Sequence, residues 1–262
     1  MFCLKTPTKT LARILFTAMA TAAVAAATTI TIPGLCNTGV VGPCAGGPGT
    51  SLQTLSSADL NWQLALPSPS SPSASPITSL SGLTFGPNSA FVNPPNGAWL
   101  ANGPNSQWIT PMVENSPGGY YVYQTTFAIP VGFVPTTATI AGVFTSDNEG
   151  SSVFLNGSQV NSGVVFPGPA GFGSFTGSFT LNSTNATFQS GSNTLDFVIR
   201  NRGVGGIDTS PTDTGLRVEF NSQLSTVSTP EPGTMPLIAS ALIGLGLAWR
   251  QRRTKKRSEL AR

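Results

Sequence analysis

The sequence predicts an all-β fold, an antiparallel two-sheet sandwich, with a signal helix before it and a short transmembrane helix after it. Three observations carry this. From Phe85 onward, apolar and polar residues alternate with a period of two over short runs separated by turn clusters. Gly and Pro supply 29 and 22 of the 262 residues while charged residues make up only 9%, a composition suited to many turns and few solvated helices. Apolar stretches beside basic clusters are confined to the two ends.

Taken in order, residues 1–13 hold Lys5, Lys9 and Arg13 and no acid, and residues 14–27 are apolar and alanine-rich. Ala25-Ala26-Ala27 fits a small-x-small cleavage site before Thr28, so residues 1–27 read as a secretory signal peptide. Residues 28–58 show no clear period and many Gly, Pro and Thr, which predicts a flexible linker arm. A sandwich domain is expected over 59–221, starting with a strand around Trp62 and interrupted at 67–76 by a Pro/Ser-rich insertion, extended and solvated because Pro removes donors and fixes φ.

Within the domain, Tyr121, Tyr123, Thr125, Phe127 and Ile129 alternate with Gln124 and Thr126. Ile140 and Phe144 share one face of a run over 137–145. Residues 152–160 read as a hairpin turning on Asn156-Gly157, a pair that tolerates positive φ at both positions. Phe175, Phe179 and Leu181 form the next stripe. Leu195, Phe197 and Ile199, then Leu216, Val218 and Phe220, form two more, each expected to have one apolar and one wet face. Residues 222–229 read as a linker.

Charge narrows the function classes. The whole chain is +3, yet seven of its thirteen cations lie from Arg250 onward and three in the leader. Between residues 28 and 229 three arginines face eight carboxylates, a net of −5, which argues against nucleic-acid binding. Histidine is absent from the sequence, which removes Ser-His-Asp and Cys-His catalysis and imidazole zinc sites. No enzyme is expected, and no resident cofactor. Cys36 and Cys44 are an even pair once the leader with Cys3 is removed. They read either as a disulfide closing a small Gly/Pro-rich loop or as two free thiols.

The tail is the most specific stretch. Pro230-Glu231-Pro232 is followed by an uncharged segment from Met235 to Trp249 and by the basic block Arg250, Arg252, Arg253, Lys255, Lys256 and Arg257. A helix of about 15 residues is roughly 22 Å long, short of a ~30 Å hydrocarbon core. This order, over 230–257, resembles the PEP-CTERM sorting signal. The resemblance implies an exosortase as partner and a transient anchor in the inner membrane. It further implies removal of the tail during export to the cell surface or the extracellular matrix.

A fainter pattern lies in the domain. Asp147-Asn148, Val153-x-Leu155-Asn156-Gly157 and Gly191-x-Asn193-x-Leu195 look like the jelly-roll sandwich of galactose-binding-like and other carbohydrate-binding domains, across about residues 90–221. That likeness suggests contact with extracellular polysaccharide. Trp99, Trp108 and Tyr120, near Asn96, Asn102 and Asn105, have the chemistry of a sugar-binding face, although strand aromatics are more often core. Asp147, Asn148 and Glu149 bring oxygen ligands together before Gly150, a set that suits calcium as well as an ordinary polar turn. The expectation is a structural or adhesive surface protein within exopolysaccharide. The alternatives are a carbohydrate-binding module or a carbohydrate-active enzyme.

Overall fold

The computed structural model describes residues 28–66, 73–113, 115–203 and 210–225, together with Leu242, Gly244, Leu245, Trp249 and Arg250 of the tail. The expected signal helix, most of the expected transmembrane helix, Pro230, Glu231, Pro232 and the basic residues from Arg252 onward lie outside these residues. The five tail residues are helical. No helix among the described residues is long and apolar enough to cross a membrane.

Residues 29–227 form one compact unit, and it is all-β. The strands are β1 (Thr29–Ile30), β2 (Val40–Val41), β3 (Ser51–Leu52), β4 (Ala58–Leu66), β5 (Thr84–Asn93), β6 (Trp108–Thr110) and β7 (Gly119–Ile129). They continue with β8 (Thr139–Asp147), β9 (Glu149–Leu155), β10 (Ser158–Gln159), β11 (Val164–Val165), β12 (Gly177–Leu181), β13 (Gly191–Asn201) and β14 (Gly215–Ser225). Twelve of them make one antiparallel sheet in the order β10-β9-β13-β7-β4-β5-β6-β14-β8-β12-β11, with β1 added to β14. β2 and β3 pair separately. The sheet curls, because rings from its two halves meet. Trp62 on β4 stacks with Phe220 on β14 at 6.0 Å, and Phe197 on β13 lies 5.3 Å from Phe144 on β8 and 5.4 Å from Phe179 on β12.

The sequence periods locate β7, β8, β13 and β14, but β14 runs on to Ser225, so residues 222–225, expected as linker, belong to the sheet. Tyr121, Tyr123, Thr125, Phe127 and Ile129 are all buried along β7, and Ile140 and Phe144 along β8. The hairpin between β9 and β10 turns at Asn156 and Gly157, with φ of 52° and 77°. The sheet ends in two-residue strands, β10 and β11, which leave little edge for another chain to pair with.

Three expectations change. First, residues 29–58 are no flexible arm. Ile32, Leu35, Cys36 and Val40 are buried, and the segment runs along the side of β14 opposite β8. There β14 meets β6 only at Leu216 and Ile109, so the next backbone groups along β14 need other partners. Thr38 N donates to the Val218 carbonyl, Thr38 Oγ1 accepts from Val218 N, Asn37 Oδ1 accepts from Phe220 N, and β1 pairs with the strand's last residues. The arm therefore closes a seam in the sheet, and the folded unit is wider than 59–221. Its low period hides this because the contacts are polar, aperiodic and made to residues about 180 positions away.

Second, β13 is covered on both faces. Asp196 and Val198, expected to be wet, are 0% and 1% exposed. Val198 packs with Val122 and Phe154 in a second small core, against Ile77, Leu80, Leu83 and Phe85. Residues 73–83, in part expected to be a solvated insertion, cross this outer face as a strap. Ser73 pairs with Tyr120 through the backbone, and Ser152 Oγ donates to the Ile77 carbonyl. The remainder of the insertion lies outside the described residues. Third, Arg217 on the outer face of β14 is 3% exposed rather than wet, roofed by the loop around Ala101 and Ser106.

Candidate functional site

The residues singled out for binding gather where β8 passes into β9. β8 ends at Asp147 and β9 begins at Glu149, while β13 and β14 pair on either side. Asp147 is buried, and its Oδ2 accepts from Trp99 Nε1 at 2.8 Å. Burial pushes its carboxyl up to about 6; the Trp99 N–H opposes this and the charge of Asp213 adds to it. Thr214 Oγ1 donates to the Asp147 carbonyl, tying the start of β14 to the corner. Asp213 in turn accepts from Asn96 Nδ2 at 2.7 Å.

The neighbours of Asp147 point elsewhere. Asn148 Oδ1 accepts from Arg202 N at 2.6 Å. Glu149 bonds Arg202 at 2.9 and 3.1 Å and Arg200 at 3.3 Å, so two guanidinium groups occupy its oxygens. The three residues expected to share a calcium ion therefore each give a side-chain oxygen to a different protein donor, while Asp147 Oδ1 is buried without a hydrogen-bond partner. Among the described residues no group of three or more carboxylate or thiol side chains converges as a metal site. The sequence showed the oxygen atoms but not the two arginines, which arrive from β13 and its end some fifty residues later.

The aromatic platform is also absent in the expected form. Trp108 is fully buried and Trp99 is 7% exposed. Their rings lie 4.3 Å apart, and Trp108 Nε1 donates to the Leu100 carbonyl at 2.7 Å. Both indoles have an apolar environment and a satisfied N–H, which is a core arrangement and leaves no ring face for a sugar. Tyr120 is half-buried, with the Arg200 guanidinium 5.6 Å above its ring. The sugar-stacking trio that composition suggests is thus spread between packing and a cation–π contact.

Cys36 and Cys44 are joined by a disulfide, and both are buried. The bridge sits in the seam-closing arm, where Trp62 Nε1 donates to the Cys36 carbonyl at 3.2 Å. Two further features were missed by sequence reasoning. Asp59, at the start of the expected domain and marked by the sequence only as one of eight carboxylates, is 3% exposed and accepts from the backbone N–H groups of Gly39, Asn61 and Trp62. Burial pushes its carboxyl up to about 6, against those hydrogen bonds. A shallow open depression of about 300 Å³, lined by Ser158, Gln159, Ser183, Thr184 and Asn185 among others, lies beside β10. Asn185 there already donates to the carbonyls of Ser162 and Thr180.

Among the described residues the indoles of Trp99 and Trp108 are satisfied and each carboxylate accepts at least one hydrogen bond from the protein, so the most specific chemistry left is that of the tail. Residues 228–253 match the PEP-CTERM protein-sorting motif. The match takes in Pro230-Glu231-Pro232, the apolar segment and the first basic residues, Arg250, Arg252 and Arg253. A PEP-CTERM motif marks an exported protein that an exosortase sorts. No curated protein matches the chain.

Proposed function

We propose that this chain is a non-enzymatic surface protein. Its C-terminal apolar segment holds it briefly in the inner membrane, an exosortase cuts it near Pro230-Glu231-Pro232, and the domain is then released to the outer surface. There it serves a structural or adhesive role within extracellular polysaccharide. The observation that carries this reading is the PEP-CTERM match at 228–253. Leu242, Leu245 and Trp249 are helical with 65%, 45% and 62% of their surface exposed, which fits a segment that finds its apolar surroundings in lipid. The basic block supplies the stop on the cytoplasmic side.

The non-enzymatic reading starts from the absence of histidine, which removes Ser-His-Asp and Cys-His catalysis. All six described carboxylates, Asp59, Asp147, Glu149, Asp196, Asp213 and Glu219, accept hydrogen bonds from protein groups. The galactose-binding-like jelly roll remains our finer reading of the fold. It is supported by the Asn156-Gly157 hairpin and by Asn193, whose Nδ2 donates to the Gln189 and Gly191 carbonyls.

The test is a chain with one epitope in the domain and another after Arg262, followed in a host that carries an exosortase. The domain epitope should appear outside on a shortened chain that lacks the C-terminal epitope. Replacing Pro230-Glu231-Pro232 with alanines, or deleting the exosortase, should leave both epitopes on one membrane-bound chain. A mature surface form that keeps the C-terminal epitope would reduce the tail to a plain anchor.

A further inference from the structure

The outer face of β13 that the strap crosses carries a carboxylate as well as apolar side chains. Asp196 pairs across the sheet with Gln124 on β7 and Phe154 on β9, so it shares the face of Val122, Phe154 and Val198. It is 0% exposed. Gln124 Nε2 donates to its Oδ1 at 2.7 Å, and its Oδ2 is buried without a hydrogen-bond partner. Few groups on this face can answer a charge there. The strap from Ser73 to Leu83 has no titratable residue, nor does β5. β4 brings Gln63 and Ala65, with Asp59 four residues before Gln63 and bonded to the Gly39, Asn61 and Trp62 N–H groups, and β7 brings Gln124 and the phenol of Tyr120. Arg200 stands four residues along β13, about 13 Å away at ~3.3 Å per residue, and is ion-paired to Glu149 at the head of β9. A neutral carboxyl suits this setting, and an anion does not.

The strap itself is lightly attached. Besides apolar contact through Ile77, Leu80 and Leu83, the hydrogen bonds resolved between it and the sheet are the backbone pair of Ser73 with Tyr120 and the bond from Ser152 Oγ to the Ile77 carbonyl. From this geometry we infer that Asp196 is a pH-responsive latch: uncharged, it holds the strap closed over Val122, Phe154 and Val198, and its ionisation lifts the strap and exposes that apolar face. The direction follows from where the proton is held. Burial raises the Asp196 carboxyl to about 7, the Gln124 amide opposing, whereas in an opened strap it returns to the ordinary range near 4. The closed state thus keeps its full advantage below pH ~4 and loses it as pH rises through about 7. The latch does not depend on the sorting reading; export sets only the medium that it meets.

Hydrogen exchange of the full chain in detergent, followed from pH 4 to 8 with intrinsic rates divided out, reads the strap directly. Protection over residues 73–83 should fall up to about tenfold per pH unit between ~4 and ~7 and level off above. Asp196→Asn keeps the shape and removes the titration, so its protection should be flat across that range. Ser152→Ala should lower strap protection at every pH while keeping the wild-type slope, since it removes a bond and not the latch. Equal slopes in wild type and Asp196→Asn would overturn the inference. So would a pH response spread evenly over β7 and β13 with none particular to the strap. If Asp196→Asn fails to fold, the wild-type slope decides alone: flat protection over 73–83 overturns the latch, and a strap-specific fall supports it.

Discussion

The body of the domain and its N-terminal arm are held by opposite means. From β4 to β14, stability comes from alternate side chains packed into a ring-rich core, where Trp62, Phe144, Phe179, Phe197 and Phe220 touch across the two halves of the sheet. The arm contributes few large side chains and many hydrogen bonds. Asn37, Thr38 and Gln107 exchange bonds with backbone groups that β6 and β14 leave open, and Gln107 Nε2 reaches both the Gly39 and Gln53 carbonyls. Gly39, at φ +70°, lies so close to this hub that a Cβ would come within 2.5 Å of Gln107 Cβ. Apolar burial tolerates similar shapes, whereas a buried N–H or carbonyl needs one particular partner. The body should therefore degrade gradually under substitution and the arm should fail site by site.

The largest test of that contrast removes the arm altogether. A fragment of residues 29–225 should show a β-type circular dichroism spectrum and one cooperative melt, whereas 59–221, the domain that strand periodicity suggests, should lose the cooperative transition because β14 keeps open backbone groups. Equal melts for both fragments would make the arm decoration. Within the body, Phe197 is 1% exposed and touches rings from three other strands, so Phe197→Ala should cost about 3–5 kcal/mol in chemical denaturation. A loss under about 1 kcal/mol would mean that this stripe does not bear the core.

The junction between the two regions should respond to pH. Asp59 on β4 accepts from Gly39 of the arm at 2.7 Å, and its carboxyl is raised from 3.8 to about 6 mainly by burial. A raised folded value means that the folded state holds the proton longer than the unfolded chain. The associated stability is complete below pH ~4 and is lost as pH climbs to about 6, on the order of 3 kcal/mol in all. The melting temperature should accordingly be higher at pH 4.5 than at 7.5, and Asp59→Asn should narrow that gap. Asp147, also raised to about 6, leaves part of it in place. A wild-type melting temperature that rises over this range would contradict the burial of these acids.

The same division explains what could be read from the sequence. A period of two reports which face of a strand is dry, so the stripes Tyr121 to Ile129 and Leu216 to Phe220 were visible. It cannot report that a distant, aperiodic segment covers the other face. That is why Asp196 and Arg217 looked wet and why nothing in the sequence marked Ile77 and Leu80 as cover for β13. The candidate site residues looked unoccupied for a related reason. Trp99, Trp108 and Glu149 have binding chemistry in isolation, but Asp147, Leu100, Arg200 and Arg202 take up that chemistry from elsewhere in the chain. Short-range patterns do survive: the Asn156-Gly157 turn needs no distant partner to be recognised.

The smallest expected effect separates the arm's working bonds from its incidental ones. Thr38 and Thr50 are the same residue type in the same segment, and each hydroxyl bonds a carbonyl. Thr38 is 0% exposed; its Oγ1 donates to the Gln107 carbonyl at 2.7 Å and accepts from Val218 N at 3.1 Å. Thr38→Val keeps the shape but leaves a buried acceptor and a buried donor unanswered, at about 1–3 kcal/mol. Thr50 is exposed, and its Oγ1 reaches the carbonyls of Val41 and Gly42 at 3.2 and 3.4 Å, where water can replace it. Thr50→Ala should stay within about 0.5 kcal/mol of wild type. Denaturation curves for the two variants decide whether seam closure or general polarity holds the arm: similar losses would favour general polarity, and a cost confined to Thr38 would assign the stability to the seam along β14.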